Sequence, residues 1–203
     1  MGFIFGLVRA VLTLIGGITV ILGILIGVAV WQLSQPSTLE SKMHEVAADP
    51  ASAARFDEKI QQLEETLLSL EAGEEATLDL TEEEVTSKIV QEIENTDIPV
   101  KVKDVSVNFT DGKVLILGKV DVGLELSAGL EIEMRVDEKG EPKILVGELG
   151  IGRGFGIPQA AKDAIANVIP SEDVLTGMIK DLPIDLRSID IGNGRLAFSG
   201  VKE

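Results

Sequence analysis

With no cysteine and no tyrosine in the chain, serine, histidine and carboxylate side chains are the groups from which a reactive site would have to be built. The single histidine, His44, lies far in sequence from Ser106, Ser127, Ser171, Ser188 and Ser199. A nucleophilic serine needs an imidazole to take its proton, so the composition argues against a serine triad, and His44 reads as an exposed linker residue. One histidine and no thiolate leave no metal cluster of multi-histidine or zinc–thiolate type. Glu131 and Glu133 alternate along a predicted strand and project on its polar face, where carboxylates serve solubility more often than acid–base chemistry. Residues 57–84 hold 11 acidic side chains against the lone Lys59, but without the alternating ligands and sixth-position glycine of a calcium loop. No metal and no cofactor is expected, and the chain reads as non-enzymatic.

Two further motifs bear on chemistry. "GIGRGFGIP" sets Gly150, Gly152, Gly154 and Gly156 between a predicted strand and a predicted helix. It matches neither nucleotide pattern, because Phe155 or Ile157 occupies the third glycine place of the dinucleotide motif and no lysine follows as a phosphate loop requires. What remains is Arg153, a candidate anion contact beside the N-terminus of the helix that opens at Pro158, set against a glycine-eased bend or bulge at the sheet edge. Asn108 to Thr110 form a glycosylation sequon that reads as a chance occurrence.

The elements that would position such residues follow from composition and patterning. The 203 residues carry 18 Lys plus Arg against 34 Asp plus Glu, a formal charge of −16. Nucleic acid is excluded as a partner on that balance, since binding phosphate backbones needs a positive footprint. From Ala10 to Trp31 there are 22 residues without a charge, and a helix of that length spans about 33 Å, the thickness of a bilayer core. The run is longer than a signal-peptide core and ends without a good small-x-small cleavage site, which gives an uncleaved signal anchor over residues 1–32. Arg9 precedes it while Glu40, Lys42, Glu45 and Asp49 follow, so the N-terminus is expected in the cytoplasm and the remainder outside it, in a single-pass cell-membrane topology. Gly23 and Gly27 lie one turn apart and offer a weak homodimer contact through the membrane helix, although glycine is common in such helices anyway. The N-terminal Met-Gly lacks the Ser or Thr at position 6 that myristoylation favours.

Residues 33–77 form an acidic connector with one predicted helix, N-capped by Asp49, opened by Pro50 and stopped at Gly73. Phe56, Ile60, Leu63, Leu67 and Leu70 recur at spacings of four and three, an apolar stripe two heptads long. That is too short to argue a coiled-coil stalk, and packing on the chain's own domain is favoured.

Residues 78–203 read as an α+β extracytoplasmic domain. Thr81 and Glu84 stand in capping-box spacing before Val85, Ile89, Val90 and Ile93, which predicts a helix from about Glu82 to Glu94. "VKVKDVSVNF" reads as a strand closed by a turn at Thr110 to Gly112. Every even position from Val114 to Val136 is apolar except Gly118, a period of two over 23 residues. This implies one buried and one wet sheet face. One strand of that length would run about 76 Å, so the chain must curve at Gly118, Gly123 and Gly129 or reverse through a three-residue turn, such as Ser127 to Gly129. A two-residue turn would switch the parity of the pattern, and the parity is kept. A further strand, "KILVGELGIG", two helices from Pro158 and Ser171, and a C-terminal hairpin through Gly192 to Gly194 complete the expected order.

"LTEEEVTSKIVQEI", "VSVNFTDGKVLILGKVDVG", "ELGIGRGFGIP" and "DLPIDLRSIDIGNGRLAFSG" follow one another as in a class of bacterial membrane-anchored or secreted domains. Over Leu78 to Gly200 the chain resembles the YpmS-like and LmeA-like families, which are similar in turn to tubular lipid-binding (TULIP) domains. The resemblance implies a long curved antiparallel sheet wrapped on helices with phospholipid in the groove, and it supplies no catalytic motif. The sequence therefore points to a membrane-anchored domain that binds or shuttles a phospholipid or other apolar ligand. Its aliphatic wall is expected from Val120, Val122, Leu124, Leu126, Leu130, Ile132 and Met134, because lipid sites need concave apolar walls and few polar groups. The alternative is a non-enzymatic structural or interaction subunit of a membrane complex, with the same face closed into a dry core.

Overall fold

The structure, a computed structural model, describes residues 42–95, 101–121, 125–137, 142–151, 155–156 and 184–202. The expected membrane span over residues 10–31, with Gly23 and Gly27, lies outside the described residues, as do Val122, Leu124, Arg153 and the helices expected from Pro158 and Ser171. Among the described residues no helix is long and apolar enough to cross a membrane.

Helix α1 (Pro50–Ser69) starts where the sequence places it. Asp49 Oδ1 accepts hydrogen bonds from the amides of Ala51 and Ser52 at 2.9 and 3.0 Å, satisfying donors that have no partner within the helix. The helix ends at Ser69 with Leu70 as its extended C-cap, short of the expected stop, and Gly73 instead makes the turn into the next strand with φ 90°. Strand β1 (Glu75–Thr81) follows and runs directly into α2 (Glu82–Asn95). The capping box at that junction is made: the Glu84 amide donates to Thr81 Oγ1 and the Thr81 amide to Glu84 Oε2.

Five strands come next in one antiparallel meander: β2 (Lys101–Thr110), β3 (Lys113–Asp121), β4 (Glu125–Val136), β5 (Pro142–Ile151) and β6 (Phe155–Gly156). Asp111 and Gly112, at φ 50° and 77°, form the two-residue β2–β3 turn, with mirror-image geometry matched to strand twist. The period-two stretch does reverse through three residues, but at 122–124, joining the pair Asp121 and Glu125, and not at Ser127 to Gly129, which lie inside β4. Four-residue spacing across that loop keeps even positions opposite even ones: Val114 faces Ile132, Ile116 faces Leu130, Gly118 faces Ala128 and Val120 faces Leu126. The glycine-rich segment also differs from expectation. Gly150 pairs with Gly156 and Ile151 with Phe155, so the chain turns back there into a short edge strand.

The chain builds two sheets where one long curved sheet was expected. Strands β7 (Ile184–Gly192) and β8 (Arg195–Lys202) form the C-terminal hairpin, and β8 also pairs along its length with β1 to give the order β1-β8-β7. That pairing joins segments more than a hundred residues apart, which local periodicity does not encode. The two sheets and both helices share one apolar cluster, with Phe56, Ile60, Leu63 and Leu67 from α1, Ile89 from α2, Leu78 and Leu196 from the smaller sheet, and Val107, Ile116 and Leu130 from the larger. The helix of the segment read as a connector thus packs on the chain's own domain, and residue 78 falls within β1.

Candidate functional site

The aliphatic face of β3 and β4 has two parts. At the end nearer the β2–β3 turn, Val114, Ile116, Leu130, Ile132 and Met134 are all buried within the shared cluster, Ile116 and Leu130 almost completely. Three of the seven expected wall residues, Leu130, Ile132 and Met134, are therefore core side chains and not an open wall. The physical reason is that β7 packs on β4 and β3 while α2 packs on β2, all within one cluster: periodicity reports that a face is buried without reporting what buries it. Farther along, Val120 and Leu126 stand opposite each other in the ladder and continue the same face toward the loop at 122–124. Gly118 and Ala128 separate the two parts; a Cβ on Gly118 would meet Val102 and Val105 side chains at 3.6 Å, in ordinary contact.

The opposite face of the larger sheet is not simply wet, contrary to the alternation rule. Ser106, Asn108, Leu115 and Glu131 are buried there, and Leu115 and Val46 lie off the main cluster. Residues 44–46 cross β2 on this side. The Asn108 amide pairs with the His44 backbone at both ends: Oδ1 accepts from the His44 amide at 2.7 Å, and Nδ2 donates to its carbonyl at 3.1 Å. Ser106 Oγ accepts from the Val46 amide at 2.7 Å, and Ser87 Oγ from the Asp49 amide at 3.0 Å. With its Nδ2 engaged and the residue 2% exposed, Asn108 is closed as a glycosylation acceptor in the folded chain.

His44 is more than an exposed linker residue. Its ring is open to solvent, yet Nε2 lies 2.8 Å from Oε2 of the buried Glu82. The other Glu82 oxygen accepts the Phe109 amide at 2.6 Å, and Thr86 Oγ1 accepts the Val107 amide at 3.0 Å. These two amides belong to the outer edge of β2, so α2 supplies with side chains the partners a further strand would have supplied. The two tight turns interlock beside this point: the Gly112 amide donates to the Ile191 carbonyl, and the Gly194 amide to the Phe109 carbonyl.

The remaining buried charges are also paired. Lys59 Nζ lies 2.7 Å from Glu84 Oε2 and donates to the Asp79 carbonyl, tying α1 to the β1–α2 junction. Lys88 bridges Asp57 on α1 and Glu92 on its own helix. Burial depresses its ammonium, but the bonds to Asp57 and then Glu92 outweigh that and hold it above the ordinary lysine range. Lys113 Nζ sits 2.7 Å from Glu131 Oε1, and that hydrogen bond raises the lysine further above its usual value. Glu131 is thus a buried partner of Lys113 rather than a solubility charge, while Glu133 stays partly exposed beside Arg135.

Among the described residues no three His, Asp or Glu side chains converge as a metal site would require, and every buried side-chain polar atom has a partner. Ser106 bonds to the His44 backbone and not to its ring, and Ser188 bonds to Ser199 across the C-terminal hairpin. The arrangement is one of stapling, with buried polar groups spent on holding segments together. Glu82, Thr86 and Ser106 carry no sequence pattern that would have marked them; for Asn108 the sequon was the only signal. Together these features define an α+β domain of two antiparallel sheets with an aliphatic face continuing past a closed core. No family model matches the chain, and neither a curated protein nor a solved structure matches it.

Proposed function

We propose that this chain is a single-pass membrane protein whose extracytoplasmic domain binds or shuttles a phospholipid or other apolar ligand, non-enzymatically, in a TULIP-like manner. The observation that carries the reading is the in-register continuation of the β3–β4 aliphatic face from the closed core to the pair Val120 and Leu126. Sequence extends the same parity through Val122 and Leu124. The candidate wall is accordingly narrowed to Val120, Val122, Leu124 and Leu126, with Arg153 kept as the candidate contact for an anionic headgroup. The uncharged run at residues 10–31 supplies the anchor.

The rival reading, a structural or interaction subunit of a membrane complex, is favoured by the burial of Leu130, Ile132 and Met134 in a dry core. The two separate in one experiment. Every residue of the apolar cluster lies between Phe56 and Leu196, so the segment 42–203 keeps the core and can be purified without detergent. Native mass spectrometry and solvent extraction of that segment should reveal stoichiometric phospholipid, lost in Leu126→Glu while the fold is kept. A folded segment that is empty and takes up no added phospholipid refutes the lipid reading and leaves the interaction subunit.

A further inference from the structure

The route of residues 42–49 determines which end of the domain the chain enters. His44 is bonded to Asn108 and Val46 to Ser106, so the segment runs antiparallel to β2. Upstream of His44 the chain therefore heads toward Thr110 and the Asp111–Gly112 turn. The attachment is a strap fixed at four points: Asn108, Ser106, Ser87 and, through the imidazole, Glu82. Val46 is buried beneath it at 6% exposure. This is far more fixation than a passive connector needs.

We infer that this strap orients the domain on a lipid bilayer, with the end carrying the Asp111–Gly112 and Asn193–Gly194 turns facing the membrane and the Val120–Leu126 end facing away. The inference rests on the reading of residues 10–31 as the anchor. Ten residues, 32–41, separate Trp31 from the strap. Strand β2, from Thr110 back to Lys101, is roughly 30 Å long at 3.3 Å per residue. To bring the far end to the bilayer, those ten residues would have to double back along the whole strand, using nearly all of the roughly 33–36 Å that ten residues can reach at most. The short path sets the turn end down first. The register pair Val120 and Leu126 then lies at the end of the sheet remote from the anchoring bilayer.

The absence of cysteine makes the test clean. Single cysteines replace Thr110 near the turns and Lys103 toward the far end, about 20 Å apart along β2. The full-length chain carries a donor fluorophore at either site in phosphatidylcholine vesicles with a headgroup-labelled acceptor lipid. Transfer should be clearly higher from position 110 than from 103. In a Ser106→Ala, His44→Ala background, with the fold checked by circular dichroism, the difference should shrink at least twofold. Equal or reversed transfer in the unaltered strap overturns the orientation, and a difference that survives the double substitution overturns the strap's part in it. If the chain fails to float with vesicles, the anchor reading falls and the orientation with it.

Discussion

Truncating Leu130 to alanine separates a closed core from an open wall at the place where the two readings of the β3–β4 face meet. Leu130 is 1% exposed, stands opposite Ile116 in β3 and Leu149 in β5, and belongs to the cluster shared by both sheets and both helices. Removing three carbons from such a position costs their transfer free energy plus that of the cavity left behind, about 2–5 kcal/mol. With Ile116 fully buried across the ladder, about 3 kcal/mol is the expected loss. For a domain of this size that corresponds to a melting temperature lower by roughly 6–12 °C. Urea unfolding of the segment 42–203 should show the midpoint falling with the slope unchanged, since the surface exposed on unfolding is nearly the same. A loss below about 1 kcal/mol would refute the argument, because a side chain lining an open groove leaves no new cavity. Ile132→Glu should unfold the segment outright, as an unpaired carboxylate in that core has no partner.

Other consequences are equally open to measurement. Thr86→Val keeps the side-chain shape but leaves the Val107 amide on the β2 edge without its acceptor, and should cost about 1–3 kcal/mol by urea unfolding. Gly147→Ala would set a Cβ 2.6 Å from Glu131 Oε1. The carboxylate must then move off Lys113, whose raised value should fall back toward that of an ordinary lysine in an NMR titration. Stability should depend on pH at both extremes. The Lys88 ammonium is raised on folding, so its contribution is full below the unfolded value of about 10.4 and lost as pH climbs through the higher folded value; Lys88→Met should flatten that alkaline limb. Asp49 is held below the usual carboxylate range by Ser52, first through its hydroxyl and then its amide, so the cap persists above about pH 3.9 and fails as pH drops through the folded value. Thermal melts of Asp49→Ala should lose that acid-side dependence.

Much of the local structure was legible in the residues because the signals are themselves local. Asp49 and Pro50 mark a helix start through the geometry of unpaired amides, and Thr81 with Glu84 marks the next through reciprocal capping. The parity of positions 114–136 allowed either a bend without reversal or a three-residue turn, and β3 and β4 pair back on each other across 122–124, although the eleven apolar even positions gave no means of choosing 122–124 over Ser127–Gly129. What escaped the sequence was non-local. Strand β1 has alternating Ala76, Leu78 and Leu80 but gains its identity from pairing with β8, and the second sheet exists only through that pairing. The split of the aliphatic face into core and continuation depends on where α2 and β7 lie, which no period encodes. The strap was invisible for the same reason: His44 and Asn108 are 64 residues apart, and hydrogen bonds between a backbone and a side-chain amide leave no pattern.

Lipid contact at the far end of the β3–β4 face is the central claim, and photo-crosslinking tests it most directly. The full-length chain is placed in vesicles containing a phospholipid with a diazirine near the acyl terminus, irradiated, digested and mapped by mass spectrometry. Adducts should appear at Val120–Leu126 as well as within residues 10–31, and those at Val120–Leu126 should disappear in Leu126→Glu. Adducts confined to residues 10–31 would contradict the account and mark the domain as an interaction module with a fully closed core.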